Sequence, residues 1–205
     1  VYPGDNIAEA LAAVEPLRVY MEETLGVRTV LITGTSYNAV IEAMAANRAD
    51  AMEVGPFSYV LAADVADAEA IAVANYATEV NPDEVPGYYS LMFTKKGSGI
   101  TSIDDLAGRS FAFTDPASTS GYLVPATDIL IDQEFTDPAQ IEDFANVSFA
   151  GNHPTAVLSV WNDSIEAAAT FDGNLAVQVE EAGIELCGYE DMGIDGPATA
   201  EEFPY

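Results

Sequence analysis

The apolar positions change period repeatedly along the chain, from the three-and-four spacing of a helix face to the short continuous runs of buried strands. That alternation is the pattern of an α/β protein. Asn6 followed by Glu9 has the spacing of a helix cap with a reaching acid, and Ile7, Leu11, Val14, Leu17 and Met21 then fall on one face of a helix that ends at Gly26. Thr29 to Thr33 reads as a strand. Thr35 or Ser36 can cap a second helix carrying Val40, Ile41 and Met44. Ala51 to Val54 makes a short strand, Pro56 opens a helix to about Leu61, and Ile71 to Ala74 reads as another buried strand.

The segment NPDEVPG, residues 81–87, holds two prolines and a glycine and marks a loop or a crossing between domains. Tyr88 to Thr94 is strand-like. Beyond Lys95 a second alternating run predicts a helix over 102–106, a strand over 110–113, a helix over about 121–131 and a strand over 147–149. It continues with a helix through Trp161, a strand over 167–171, a helix over 175–182 and a strand over 184–187. Two lobes are expected, residues 1–87 and 88–187, with 188–205 returning to the first.

The chain has 205 residues, 34 acidic against 6 basic and one histidine, for a formal net charge of -28. Nucleic acid is excluded as a partner, because nothing here could neutralise a row of phosphates. At 49% apolar residues the composition is that of a folded chain rather than a disordered one. The single Cys187 permits no internal disulfide and no cysteine metal cluster, and reads as a small buried apolar residue. No run of 18 apolar residues occurs, and Val1 is not followed by a charged-then-apolar leader. The acids are spread over every segment, which fits a surface selected for solubility in concentrated salt better than a block serving a cationic partner.

In an open α/β sheet, ligands sit beyond the carboxyl ends of the strands, where helix N-termini present free N–H groups. Four such junctions carry polar residues. TGTSYN places Ser36 and Tyr37 at one, where Ser36 caps a helix and the Tyr37 phenol either reaches a crevice or lies on the surface. FAFTDPASTSGYLVP places three successive hydroxyls, Ser118, Thr119 and Ser120, before Gly121 at another, a nest for a tetrahedral oxyanion that lacks the lysine and glycine spacing of a nucleotide loop. FAGNHPTAV puts His153 before Pro154 at a helix start, and AAATFD ends a strand on Asp172.

Serine, histidine and aspartate together raise a serine hydrolase as an alternative, but STSG lacks the first glycine of a G-x-S-x-G elbow. Metal catalysis fares worse, since one histidine with no HExxH or paired-ligand spacing leaves only carboxylates as ligands. Binding suits the residues better. A protonated phosphorus oxyanion offers acceptors to hydroxyls, amides and tyrosines, and a P–OH donor that Asp172 can accept, whereas sulfate has no proton to give.

SYNAVIEAM, ADAMEVGPFSYVLA, GYYSLMFTKKGSGITSIDDLAGRSFAFTDPASTSGYLVP and GNHPTAVLSVWNDSIEAAATFD resemble, in order and spacing, the PhnD-type phosphate/phosphite/phosphonate-binding proteins of ABC importers over about residues 5–190. The resemblance implies the two-lobed type II periplasmic-binding fold, each lobe a mixed sheet flanked by helices, with the ligand cleft between lobes. It implies ligand contacts at Tyr37, Tyr88, Ser118, Thr119, Ser120, His153 and Asp172, with Tyr89 an alternative to Tyr88 because successive strand residues face opposite ways. The hydroxyls would hold the anion, Tyr37 would close on it, His153 would donate and Asp172 would accept. Glu166 is not a secure site residue. The resemblance further implies no cofactor, no metal and no catalysis. It implies a monomer serving the permease and ATPase subunits of an importer, extracellular at the cell surface on a lipid-anchored precursor. A sensor domain of the same fold is the other reading. The family continues beyond Tyr205 into a second crossing strand and C-terminal helices, so truncation at that end is expected.

Overall fold

Phe111, Ala112 and Phe113 alternate between two faces of one strand, and the rest of the sheet around them is built on that alternation. The computed structural model describes residues 7–73 and 87–182, which divide into two units between Ala70 and Ile71. Residues 74–86, which hold most of the NPDEVPG segment, lie outside the described residues. So do Asn6, the 184–187 strand and the 188–205 tail.

In the second unit four strands form one sheet. They are β1 (Ser90–Thr94), β2 (Ser110–Phe113), β3 (Asn146–Phe149) and β4 (Ala167–Phe171), in the order β1-β4-β2-β3. β2 runs parallel to β3 and β4, and β1 runs antiparallel to β4 with Ser90 opposite Phe171. The start of β1 therefore lies at the same edge as the ends of β2, β3 and β4. On one face Phe111, Phe113, Ala167 and Ala169 pack with Leu106, Ala126, Ile129, Ile141 and Ala145. On the other, Ala112 and Ala168 pack with Ala156 and Val160. The alanines of β4 serve a central strand approached closely on both faces, where larger side chains would push the helices away.

The helices of that unit are α4 (Val124–Asp132), α5 (Ala139–Phe144), α6 (His153–Trp161) and α7 (Asp172–Ala182). α5 was not expected. The 102–106 helix is a single tight turn over Asp104–Leu106, closed by Asp105 Oδ2, which accepts from the backbone of Thr101 and Ser102.

The first unit contains α1 (Ile7–Leu25), α2 (Tyr37–Ala45) and α3 (Pro56–Ala66). Ser36 caps α2 by accepting from Ala39 N at 3.1 Å. Arg18 on α1 bonds Glu15 at 2.8 Å and Glu22 at 2.6 Å, and Glu22 Oε1 accepts from Thr29 N. α3 runs past the expected end at Leu61 to a left-handed Asp67.

The strands expected over 29–33, 51–54 and 71–74 are absent from the described residues of those segments. A β-branched run becomes a strand only when a neighbour completes its ladder and a layer covers its side chains. Here Val30, Ile32 and Ile71 are 61, 51 and 88% exposed.

Candidate functional site

The edge where β2, β3 and β4 end and β1 begins collects the polar residues of the second unit. After β2, Thr114 is fully buried and its N–H donates to Gly121 O. Asp115 Oδ1 accepts from Ala117 N at 2.8 Å, an Asx turn that reverses the chain at Pro116. Ser118 Oγ then accepts from Gly121 N at 3.0 Å, capping a wide turn over Thr119–Leu123 in which Leu123 N reaches back to Ser118 O. The turn has five-residue spacing, a form frequent at functional sites, and it leads directly into α4. The helix expected from about Gly121 is therefore a wide turn first and an α-helix only from Val124.

Gly121 is required by space. A Cβ there would overlap Thr114 Oγ1 and Cβ and lie 2.9 Å from Ser118 Oγ. The hydroxyl loop is thus folded tightly onto the end of β2. Ser118 and Ser120 are buried.

Tyr88 lies against this loop. Its phenol hydrogen-bonds with the Thr119 and Ser120 side chains, and its ring meets Phe171 edge-on at 5.7 Å. Burial pushes the phenol up from its ordinary value, the two hydroxyls partly offset that, and the nearby Asp172 charge adds to the rise. It is protonated at neutral pH. Ser90 Oγ donates to Ser120 O at 2.8 Å, tying β1 to the same turn.

His153 opens α6, whose cap is Asn152 Oδ1 accepting from Thr155 N. Its Nε2 is 3.5 Å from Ser118 Oγ, and its Nδ1 is 3.2 Å from Thr114 Oγ1 and 3.0 Å from Thr170 Oγ1. The ring meets Phe171 edge-on at 4.8 Å. Burial pushes its pKa down to about 4, so the imidazole is neutral at pH 7. Asp172, 5% exposed, accepts from Tyr89 N through Oδ1.

Six of the seven residues singled out in the sequence, Tyr88, Ser118, Thr119, Ser120, His153 and Asp172, therefore meet at one sheet edge. Of the adjacent tyrosines, Tyr88 faces the hydroxyls. Tyr37 begins α2 in the first unit, where it is 4% exposed. Glu166 lies at the opposite edge, where it bonds Arg109 at 2.8 Å and Ser110 N at 2.9 Å and joins the starts of β2 and β4. Thr114, Thr170 and Asn174 were missed. The signal for the two threonines is a hydroxyl closing or nearly closing an otherwise apolar run in FAFT and AAATF, and Asn174 has no such signal. Asn174 Nδ2 donates to Thr170 Oγ1 at 3.0 Å.

A serine-hydrolase triad would need a carboxylate behind the histidine to stabilise an imidazolium. Here Nδ1 faces two threonine hydroxyls, and burial disfavours the charged ring. Among the described residues no group of three or more His, Cys, Asp or Glu could hold a metal ion, and no helix is long and apolar enough to cross a membrane.

Residues 1–186 match the family described as "ABC transporter, phosphonate, periplasmic substrate-binding protein". The chain belongs to that family, whose members are extracytoplasmic solute-binding components of transporters and not an enzyme class. It is 29% identical to the phosphate-import protein PhnD of Mycolicibacterium smegmatis over 83% of this chain and 53% of that one. It is 31% identical to a phosphonates-binding periplasmic protein of Escherichia coli over 76% of this chain and 44% of that one. The chain thus spans about half the length of these curated relatives.

Among solved structures, the binding protein component of an ABC phosphonate transporter from Pseudomonas aeruginosa superposes with a TM-score of 0.71 at 23% identity, over 87% of this chain and 58% of that one. A PhnD protein of Prochlorococcus marinus in complex with methylphosphonate gives 0.63 at 18%, over 94% and 67%. The fold is the α/β type II periplasmic-binding fold.

Proposed function

We propose that this chain is the ligand-capturing part of an extracellular solute-binding subunit of an ABC importer, and that its ligand is a small phosphorus oxyanion: phosphate, phosphite or a phosphonate. The observation that carries the reading is the convergence of Ser118, Thr119, Ser120, Tyr88 and His153 on one sheet edge beside Asp172. Hydroxyls and turn amides bind anion oxygens without a formal positive charge, which suits a protein with six basic residues. Asp172 selects for a P–OH and against sulfate. Tyr37 is included on the family resemblance. The subunit turns nothing over, needs no cofactor or metal, and as a monomer delivers its ligand to a permease and ATPase pair. The sensor reading has no separate observation in its favour.

The charge of -28 marks a surface built for high salt, held at the membrane by a lipid on the precursor. Calorimetric titration in molar KCl with phosphate, phosphite, methylphosphonate, 2-aminoethylphosphonate and sulfate tests the reading. At least one phosphorus ligand should bind near micromolar, about -8 kcal/mol, with sulfate inert. Binding of sulfate alone, or of no ligand by the folded protein, would overturn it.

A further inference from the structure

We propose that Asn162, on the turn between α6 and β4, is an attachment site for an N-linked glycan. This goes beyond the oxyanion reading and does not depend on it. It needs only the extracytoplasmic place that the family shares.

The sequence holds two N-x-S tripeptides without proline in the middle, Asn146-Val147-Ser148 and Asn162-Asp163-Ser164. Such a tripeptide is an acceptor where it lies on a surface loop of an exported protein. The structure separates the two. Asn146 begins β3, its backbone N donates to Arg109 O at 2.8 Å, and its Nδ2, the atom a sugar would be joined to, donates to Gly108 O at 2.7 Å. The strand also keeps Asn146 and Ser148 about 7 Å apart.

Asn162, Asp163 and Ser164 are all exposed. Asn162 is the cap residue past α6, and Asp163 is left-handed with φ 59°, so the chain turns there toward β4. The turn is held by its backbone, Asp163 N donating to Val160 O and Ser164 N to Ser159 O. Asp163 Oδ1 meets Lys95 Nζ at 2.6 Å, which fastens the turn to the residue after β1. None of these bonds uses the Asn162 or Ser164 side chain. A sugar on Asn162 Nδ2 therefore breaks none of them. It also spares the oxyanion edge: α6 begins at His153, and its nine residues carry the chain about 13 Å away, to the edge where Glu166 bonds Arg109.

The co-reactant is a lipid-linked oligosaccharide, a sugar chain joined at its anomeric carbon to a polyprenyl phosphate or diphosphate. A C–N bond forms from Asn162 Nδ2 to that carbon. The C–O bond to the phosphate breaks, its electron pair leaves with the phosphate, and one amide proton goes to a base on the transferase.

The test is peptide mass mapping of the protein isolated from its own cells. Chymotrypsin, which cleaves after Phe149, puts the two asparagines in separate peptides. The peptide with Asn162 should carry the added mass of a glycan, and the peptide with Asn146 should have its sequence mass. Made in the same cells, Asn162→Gln and Ser164→Ala should each lose the added mass, whereas Ser164→Thr and Asn146→Gln should keep it. An Asn162 peptide at its bare sequence mass overturns the proposal, whether or not Asn146 carries sugar. Added mass that persists on that peptide in Asn162→Gln overturns it as well. Neither result bears on the oxyanion reading, which methylphosphonate titration decides separately.

Discussion

Asp172 and Tyr89 hold each other by two hydrogen bonds that run in opposite directions: Tyr89 N donates to Asp172 Oδ1 and Asp172 N donates to Tyr89 O, each at 3.1 Å. The pair fastens the end of β4 to the approach to β1, and so sets where Tyr88 stands relative to the hydroxyl loop. A residue singled out for binding a ligand is also a structural fastener, and the two roles predict different responses to mutation. Asp172→Ala leaves the Tyr89 N–H without its acceptor and should cost about 1–3 kcal/mol of stability. Asp172→Asn keeps an acceptor and should stay within about 1 kcal/mol of wild type, while losing the carboxylate that accepts a P–OH. Chemical denaturation of both variants checks this, and equal stability of the two would show that the fastening is unimportant.

Gly121→Ala should disrupt the hydroxyl loop. The added methyl overlaps Thr114 and presses on Ser118 Oγ, and overpacking of this kind costs about 1–3 kcal/mol. Loss of oxyanion binding should exceed what the stability change explains, because the loop itself must move. Unchanged melting and binding would contradict the close approach.

Acid should weaken the fold through His153. Its native pKa is pushed from 6.5 down to about 4 by burial, so between those values the unfolded chain takes up a proton that the native one does not. The stabilisation is complete above about pH 6.5 and is lost as pH falls toward 4, by about 1.4 kcal/mol per unit. Carboxylates contribute at the lower end, so the clean comparison is with His153→Gln over pH 6.5–5.5. The wild type should lose stability faster across that interval, and parallel profiles would contradict a buried neutral histidine.

Salt should have the opposite effect. With 34 acidic and 6 basic residues, self-repulsion acts over about 10 Å at 0.1 M ionic strength and only about 3 Å at 1 M. The midpoint of thermal unfolding should rise steadily from 0.1 M to molar KCl. A flat response would remove the high-salt reading of the surface.

Much of the second unit is legible in the residues because its strands are short apolar runs that end on polar ones. FAFT and AAATFD mark both the core positions and the edge where the site forms, and HPTAV marks a helix start through its proline. The wide turn at Thr119–Leu123 is not legible, since it arises from the backbone of Gly121 pressing onto Thr114 and leaves no side-chain period. α5 has six residues, too few to display a helix face. Which of Tyr88 and Tyr89 meets the hydroxyls follows from the Asp172 fastening, a contact between residues 83 positions apart. The first unit shows the converse: Thr29 to Thr33 has the composition of a strand, but composition does not supply the neighbour that makes one.

The most direct test of the account is a titration of methylphosphonate in molar KCl into the wild type and into Thr119→Val and Ser120→Ala, with sulfate as the control. The account predicts near-micromolar binding to the wild type, at least about tenfold weaker binding to each variant, since each loses one charge-assisted hydrogen bond, and no binding of sulfate. Equal affinity in all three proteins, or sulfate bound as well as methylphosphonate, would contradict it.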